Sequence, residues 1–260
     1  MKILRVIALA AALSLTLSAC GGDDADDSAD ATSAAEETAA QDAGAGDAQA
    51  FCENVVAAET AVLQASTGGD PSAVEDLLAA AEEAAPAELE EQMGVVGATV
   101  REALDKQDDA AFQSEEFSQS EEEIDEWVAD NCGYERIDVA AVDYAFEGVP
   151  ETLPAGTVTF GFSNEGEEVH EMLILRYKDP ATTIEDLMKL SDKEAQSKID
   201  FLGASFGPPG ASDLEPKELT PGKYALVCFV PVGSTSPKAA RKADGPPHVA
   251  RGMSAEFTVE

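Results

Sequence analysis

The chain has 260 residues, 52 acids against 16 bases and a formal charge of −36, with 44% of its residues hydrophobic. Nucleic acid and bare anionic lipid would be repelled by such a surface and are excluded as partners. The length suits two modest domains, and only two histidines in the whole chain leave little room for histidine-based catalysis.

Lys2 and Arg5 precede an apolar run from Val6 that is too short to cross a bilayer, and Leu17, Ser18, Ala19 and Cys20 follow. Residues 1–19 read as an export signal. The Leu-Ser-Ala-Cys ending resembles the lipobox of bacterial lipoproteins. That resemblance implies a lipidated Cys20 and a mature protein held at the extracytoplasmic face of a cell membrane, periplasmic or at the cell surface, through its lipid alone. Residues 21–50 contain nine acids, no base and no aromatic. Such a composition cannot bury enough apolar surface to fold, so 20–50 is expected to be a disordered acidic tether.

Residues 51–133 read as a helical bundle with 22 acids and 2 bases. Phe51, Val55 and Val62 recur at helical spacing, Gly68-Gly69 breaks the pattern, and Asp70-Pro71 offers an N-cap with proline at the first helical position. Val74, Leu77, Leu78 and Ala81 form the next stripe. A third helix is expected from Pro86, with Leu89, Met93, Val96, Val100 and Leu104 on one face. Ser120 with Glu123 reads as a capping box for a fourth helix that Gly133 stops. Four antiparallel helices would bring Cys52 and Cys132 to the same end, where a disulfide would contribute about 4 kcal/mol by constraining the unfolded chain. The acids are expected on solvated faces, and the bundle as a spacer or docking module.

From 134 to 260 the period changes to two. Val142, Tyr144 and Phe146 alternate with other residues, as do Val158, Phe160 and Phe162 after the turn at Pro154-Ala155-Gly156. Val169–Tyr177 is a further strand. Capping boxes at Thr182/Glu185 and Ser191/Glu194 predict a short helical insertion before Phe201. Pro221-Gly222 turns into a strand over Tyr224–Val230, and Ala255–Val259 closes the chain. The fold class expected is α+β with two domains, the bundle preceding a Greek-key β-sandwich.

The two histidines, the cysteine outside the bundle and a methionine carry the chemistry. His170 follows a strand-like run, Cys228 ends another, and His248 lies five residues before Met253. Thiolate, two imidazoles and a weak thioether are the ligand set of a type 1 copper centre. Each also has a plainer reading: His170 as an imidazole paired with the neighbouring Glu168 and Glu171, His248 as an exposed loop residue, Cys228 as a buried thiol and Met253 as core.

The segments around these residues resemble the cupredoxin family, in its plastocyanin and azurin branch. Phe162, Asn164, Gly166 and His170 are similar to its strand before the first histidine ligand. Pro221, Gly222, Tyr224, Leu226 and Cys228 are similar to the strand that delivers the cysteine, and His248, Gly252, Met253, Phe257 and Val259 to the closing segment. The resemblance covers the second half of the chain. It implies a cupredoxin sandwich binding one type 1 copper ion through His170, Cys228, His248 and Met253, a non-enzymatic single-electron carrier, redox-protein partners and no small-molecule substrate. Asn164 is either an outer residue that fixes the site by hydrogen bonds or a loop cap. Nineteen residues separate Cys228 from His248, against a few in the small family members, and Pro231, Pro237, Pro246 and Pro247 would stiffen them. Lys238, Arg241, Lys242 and Arg251 fall within fourteen positions around His248. They either steer an acidic partner to a solvent-facing edge at His248 or relieve the acidic excess. Two rival functions stay open: a metal-free interaction lipoprotein on the same scaffold, and a copper carrier or store without redox turnover.

Overall fold

The structure, a computed structural model, describes residues 37–260 except 67 and 68. The export signal, Cys20 and the first part of the tether lie outside the described residues.

Helices α1 (Glu37–Ser66), α2 (Val74–Ala84), α3 (Glu90–Lys106) and α4 (Glu115–Asn131) form the N-terminal domain. Their core gathers Phe51, Val55, Val56, Ala81, Leu89, Met93, Ile124 and Val128, with Trp127 packed edge-on against Phe51 at 5.3 Å. Cys52 and Cys132 are disulfide-bonded, with Cα atoms 5.7 Å apart. Asp70 caps the turn Pro71–Ala73 by accepting from the Ser72 N–H at 2.9 Å, and Gly133 takes φ +67° beyond α4.

Three helix starts differ from those expected. Helix α1 begins at Glu37, inside the stretch read as a disordered tether. Ala, Glu and Gln are strong helix formers, and a helix anchored at Phe51 and Val55 propagates upstream through them. Helix α3 begins at Glu90, because the Leu89 N–H first closes a turn onto the Pro86 carbonyl. Helix α4 is capped by Ser114, whose hydroxyl accepts from the Phe117 N–H at 3.2 Å. Ser120 lies inside that helix and donates back to the Glu116 carbonyl, a bond that serine makes readily in a helix interior.

The C-terminal domain is a sandwich of two sheets, the architecture expected of a cupredoxin-like domain. One sheet runs β2 (Ala145–Glu147), β1 (Glu135–Val142), β4 (Gly156–Asn164), β7 (Ser212–Leu219). The other runs β3 (Thr152–Leu153), β9 (Ser254–Val259), β8 (Gly222–Val227), β5 (His170–Tyr177), β6 (Ile199–Gly207). Strands β1 and β4 pair in parallel, as do β3 and β9, and the other pairs are antiparallel.

Strand parity explains what faces the interior. Met172 and Ile174 of β5 and Tyr224 and Leu226 of β8 join Phe160, Phe162 and Phe257 between the sheets. Leu173, Leu175, Ala225 and Val227 point outward, where Leu187 and Ile184 of the insertion cover them. Buried on both faces, β5 reads as an unbroken apolar run. The insertion consists of α5 (Ile184–Leu187) and α6 (Asp192–Gln196); Thr183 rather than Thr182 caps the first, and Ser191 with Glu194 makes the expected capping box on the second.

The single strand expected through Val142, Tyr144 and Phe146 is a hairpin instead, with Val142 opposite Ala145 and Asp143-Tyr144 at its tip. Strands β6 and β7 were not anticipated. Both lie at sheet edges, and β7 carries Pro216 among Asp213, Glu215, Lys217 and Glu218, a sequence that argues against a strand except at an edge. Lys217 of β7 reaches the bundle: it is buried, with Nζ 3.0 Å from Glu59 of α1 and 2.9 Å from Glu215.

Candidate metal centre

His170 opens β5 with the same parity as Met172 and Ile174, so its imidazole enters the end of the sandwich. Cys228 follows β8 with the parity of Tyr224 and Leu226 and is wholly buried. Its N–H donates to the Met253 carbonyl and its own carbonyl accepts from Val249, tying it to the segment that carries His248. His248 begins a 3-10 turn ending at Arg251; its N–H donates to the Val230 carbonyl, and its carbonyl accepts from the Met253 N–H. Gly252 stands at φ +107°, where a side chain is strained and glycine is not.

These elements bring three ligand atoms together. Nδ1 of His170 lies 3.0 Å from Nδ1 of His248, and Sγ of Cys228 lies 3.4 Å from the latter. All three atoms fall within 4.8 Å of one another, the one such His, Cys, Asp or Glu group among the described residues. The three residues are 0% exposed. The Glu171 N–H points at the sulfur from 3.5 Å. Met253 is also fully buried and shares the core cluster of Cys228.

The far side of each imidazole is held by a carboxylate. His170 Nε2 is 2.7 Å from Asp143 Oδ1, and His248 Nε2 is 3.1 Å from Glu168 Oε2. A carboxylate accepts, so each ring carries its proton on Nε2 and turns the Nδ1 lone pair inward. Two lone pairs facing at 3.0 Å repel unless a proton or a cation stands between them. The donor set, soft sulfur with two imidazoles, fits a copper ion.

Electrostatics point the same way. Burial pushes the Cys228 thiol far up, with the nearby Glu171 and Glu168 charges adding to it, so the thiolate forms there only against a compensating cation. Burial also lowers both imidazoles, more than Asp143 and Glu168 raise them. Burial would raise Glu168 too, but the N–H groups of Ser234 and Gly233, with His248 and Tyr144, outweigh it and hold the carboxyl below its ordinary range. Asp143 behaves likewise, burial being outweighed by the Glu167 N–H and His170.

The surroundings narrow one expectation and correct another. Of the two readings open for Asn164, its hydrogen bonds fit the loop cap: it donates to the carbonyls of Glu168 and Gly207 and accepts from the Gly166 N–H. His248 is no solvent-facing edge, because residues 229–247 fold back over it: Pro231 bridges to Pro247, Val232 donates to Pro246, and Val169 donates to Ser234. Lys238, in α7 (Pro237–Ala240), Arg241, Lys242 and Arg251 are exposed on and beside this cover and make no ion pair among the described residues. Sequence reasoning missed Asp143, Glu168 and Tyr144. Glu168 neighbours His170 in sequence, yet it serves the other histidine. Tyr144 meets the His248 ring edge-on, with centroids 4.9 Å apart.

No family model and no curated protein matches the chain. Solved structures similar to it include a dithionite-reduced auracyanin from the photosynthetic bacterium Roseiflexus castenholzii, at 21% identity and TM-score 0.32 over 48% of this chain and 96% of that one. Auracyanin A, a "blue" copper protein from Chloroflexus aurantiacus, is similar at 16% identity and TM-score 0.32 over 49% of this chain and all of that one. Reduced rusticyanin is similar at 21% identity and TM-score 0.30 over 48% of this chain and 77% of that one.

Proposed function

We propose that the β-sandwich is a cupredoxin that binds one copper ion in a type 1 site and carries single electrons. The observation that carries this reading is the meeting of two Nδ1 lone pairs and a buried sulfur, with a carboxylate behind each ring. His170, Cys228 and His248 would hold the ion, with the Met253 thioether as the weak fourth ligand. Copper so held exchanges one electron between two oxidation states with little rearrangement. The chain's own part is to exclude water, to fix both imidazoles as their Nε2–H tautomers, and to soften the sulfur's charge through the Glu171 N–H.

In this reading Cys20 carries a lipid that tethers the protein outside the membrane, and the disulfide-closed bundle spaces the sandwich from it. No helix among the described residues is long and apolar enough to span a bilayer. The partner is an acidic redox protein drawn to Lys238, Arg241, Lys242 and Arg251. A copper carrier without redox turnover is the second reading, and the complete burial of His248 is what favours it.

The test is titration of the purified protein with Cu(II). One equivalent should produce thiolate-to-copper absorption that Cys228→Ser abolishes; a colourless protein overturns the proposal. A reversible one-electron potential separates a carrier of electrons from a carrier of copper.

A further inference from the structure

Nineteen residues lie between Cys228 and His248, yet the His248 ring is held in one orientation. We propose that Glu168 is the positioning residue that makes this possible, pinning both the long segment and the imidazole it delivers. Its Oε2 accepts from the Gly233 N–H at 2.6 Å, the Ser234 N–H at 2.9 Å and His248 Nε2 at 3.1 Å. Its Oε1 accepts from the Tyr144 hydroxyl at 3.1 Å. One side chain therefore ties together the covering segment, the second histidine and the aromatic ring beside it.

Glu168 is itself anchored. It precedes β5 by two residues, its carbonyl accepts from Asn164, and the next residue, Val169, donates to the Ser234 carbonyl. Strand β5 is paired on both sides, so the carboxylate projects from one of the most constrained parts of the sandwich. Ser234 adds a closing bond from its hydroxyl to the Pro231 carbonyl. A segment that would otherwise sample many conformations is thus clipped near its fifth and sixth residues and again at the Pro231–Pro247 bridge. What remains between the clips is a closed excursion carrying α7, and its length no longer affects where His248 stands. Asp143 performs the simpler task for His170, which β5 already holds.

The inference rests on the copper reading only for its consequence, because the orientation of His248 can be measured without metal. The experiment compares the full chain with Glu168→Gln and Glu168→Ala. Imidazole nitrogen NMR of the metal-free proteins reports the tautomer, Cu(II) titration reports affinity, and voltammetry reports the potential. In the wild type His248 should carry its proton on Nε2. Glu168→Ala should lose that preference and bind copper at least about tenfold more weakly. Glu168→Gln keeps an acceptor oxygen without the charge, so it should restore the tautomer and most of the affinity while shifting the potential upward. Circular dichroism and the intact disulfide would show that the variants fold. A folded Glu168→Ala protein with wild-type tautomer, affinity and potential overturns the proposal. If the wild type takes up no copper but its His248 tautomer still depends on Glu168, positioning stands and the copper reading alone falls.

Discussion

His170 and His248, 78 residues apart in sequence, face each other through Nδ1 atoms 3.0 Å apart, and the opposite nitrogen of each ring is engaged by a carboxylate. The pairing of Asp143 and Glu168 with the outer nitrogens is what makes the inner face a site for a cation, since a neutral ring so held has no N–H left to turn inward.

A cation that binds this face should stabilise the fold, because it binds the native arrangement and the unfolded chain has no such convergence. At a free copper concentration a thousand times the dissociation constant, the gain is about 4 kcal/mol. Thermal or denaturant unfolding without copper and with free copper buffered at that concentration measures it, and Cys228→Ser should remove most of the difference. Equal stability with and without the ion would contradict the assignment of these three residues.

The seam between bundle and sheet makes a second prediction. Lys217 is the cation between Glu59 and Glu215, its side chain 8% exposed, whereas Glu59 is 32% exposed. Lys217→Met would leave both acids facing each other without compensation. The cost is about 3 kcal/mol, at the low end for a broken buried pair because Glu59 keeps some solvent. Urea unfolding followed by Trp127 fluorescence, which reports the bundle, should detect it.

The same seam sets a pH dependence. Burial pushes the Glu215 carboxyl up to about 7, against the pull of Lys217 and with Asp213 and Glu59 adding to it; Asp213 is raised to about 6, also by burial. A carboxyl raised in the folded state holds its proton where the unfolded chain has already released it, so its contribution is complete below about pH 4.5 and is lost as pH rises through 7. The buried histidines act in the opposite sense, since their lowered values favour folding above the ordinary imidazole range. The comparison that isolates the seam is therefore wild type against Glu215→Gln, both metal-free. The wild type should lose more stability than the variant between pH 5 and pH 8.

What the sequence disclosed followed from strong local signals. Period-two runs at Phe160, Phe162 and Tyr224, the Asp70-Pro71 cap and the Ser191/Glu194 capping box are all local. The charged edge strand β7 gave no such signal, because Asp213, Glu215 and Lys217 are enclosed through tertiary packing, by β6 of the other sheet and by Glu59 of the bundle. Asp143 and Glu168 were illegible for a related reason. A carboxylate becomes a partner of an imidazole through tertiary placement, and Glu168, two residues from one histidine, belongs to the other, 80 residues away. Ser120 misled because a serine followed by a glutamate three residues on looks the same whether it caps a helix or lies within it.

The disulfide gives a prediction that separates the two domains. Cys52 and Cys132 enclose a loop of 80 residues at the far end of the bundle from its smaller cluster of Ala58, Ala61, Val74, Leu78 and Val100. That core is rich in alanine and buries little per residue, so the cross-link should matter more than it would in a heavily packed bundle. Replacing both cysteines by alanine should cost about 4 kcal/mol, the loss of loop-closure entropy from the unfolded state. Neither cysteine touches His170, Cys228 or His248, so copper absorption and potential should be unchanged while the bundle unfolds at lower denaturant. Far-ultraviolet circular dichroism follows the helices and visible absorption follows the site, and the two transitions should part in the double variant.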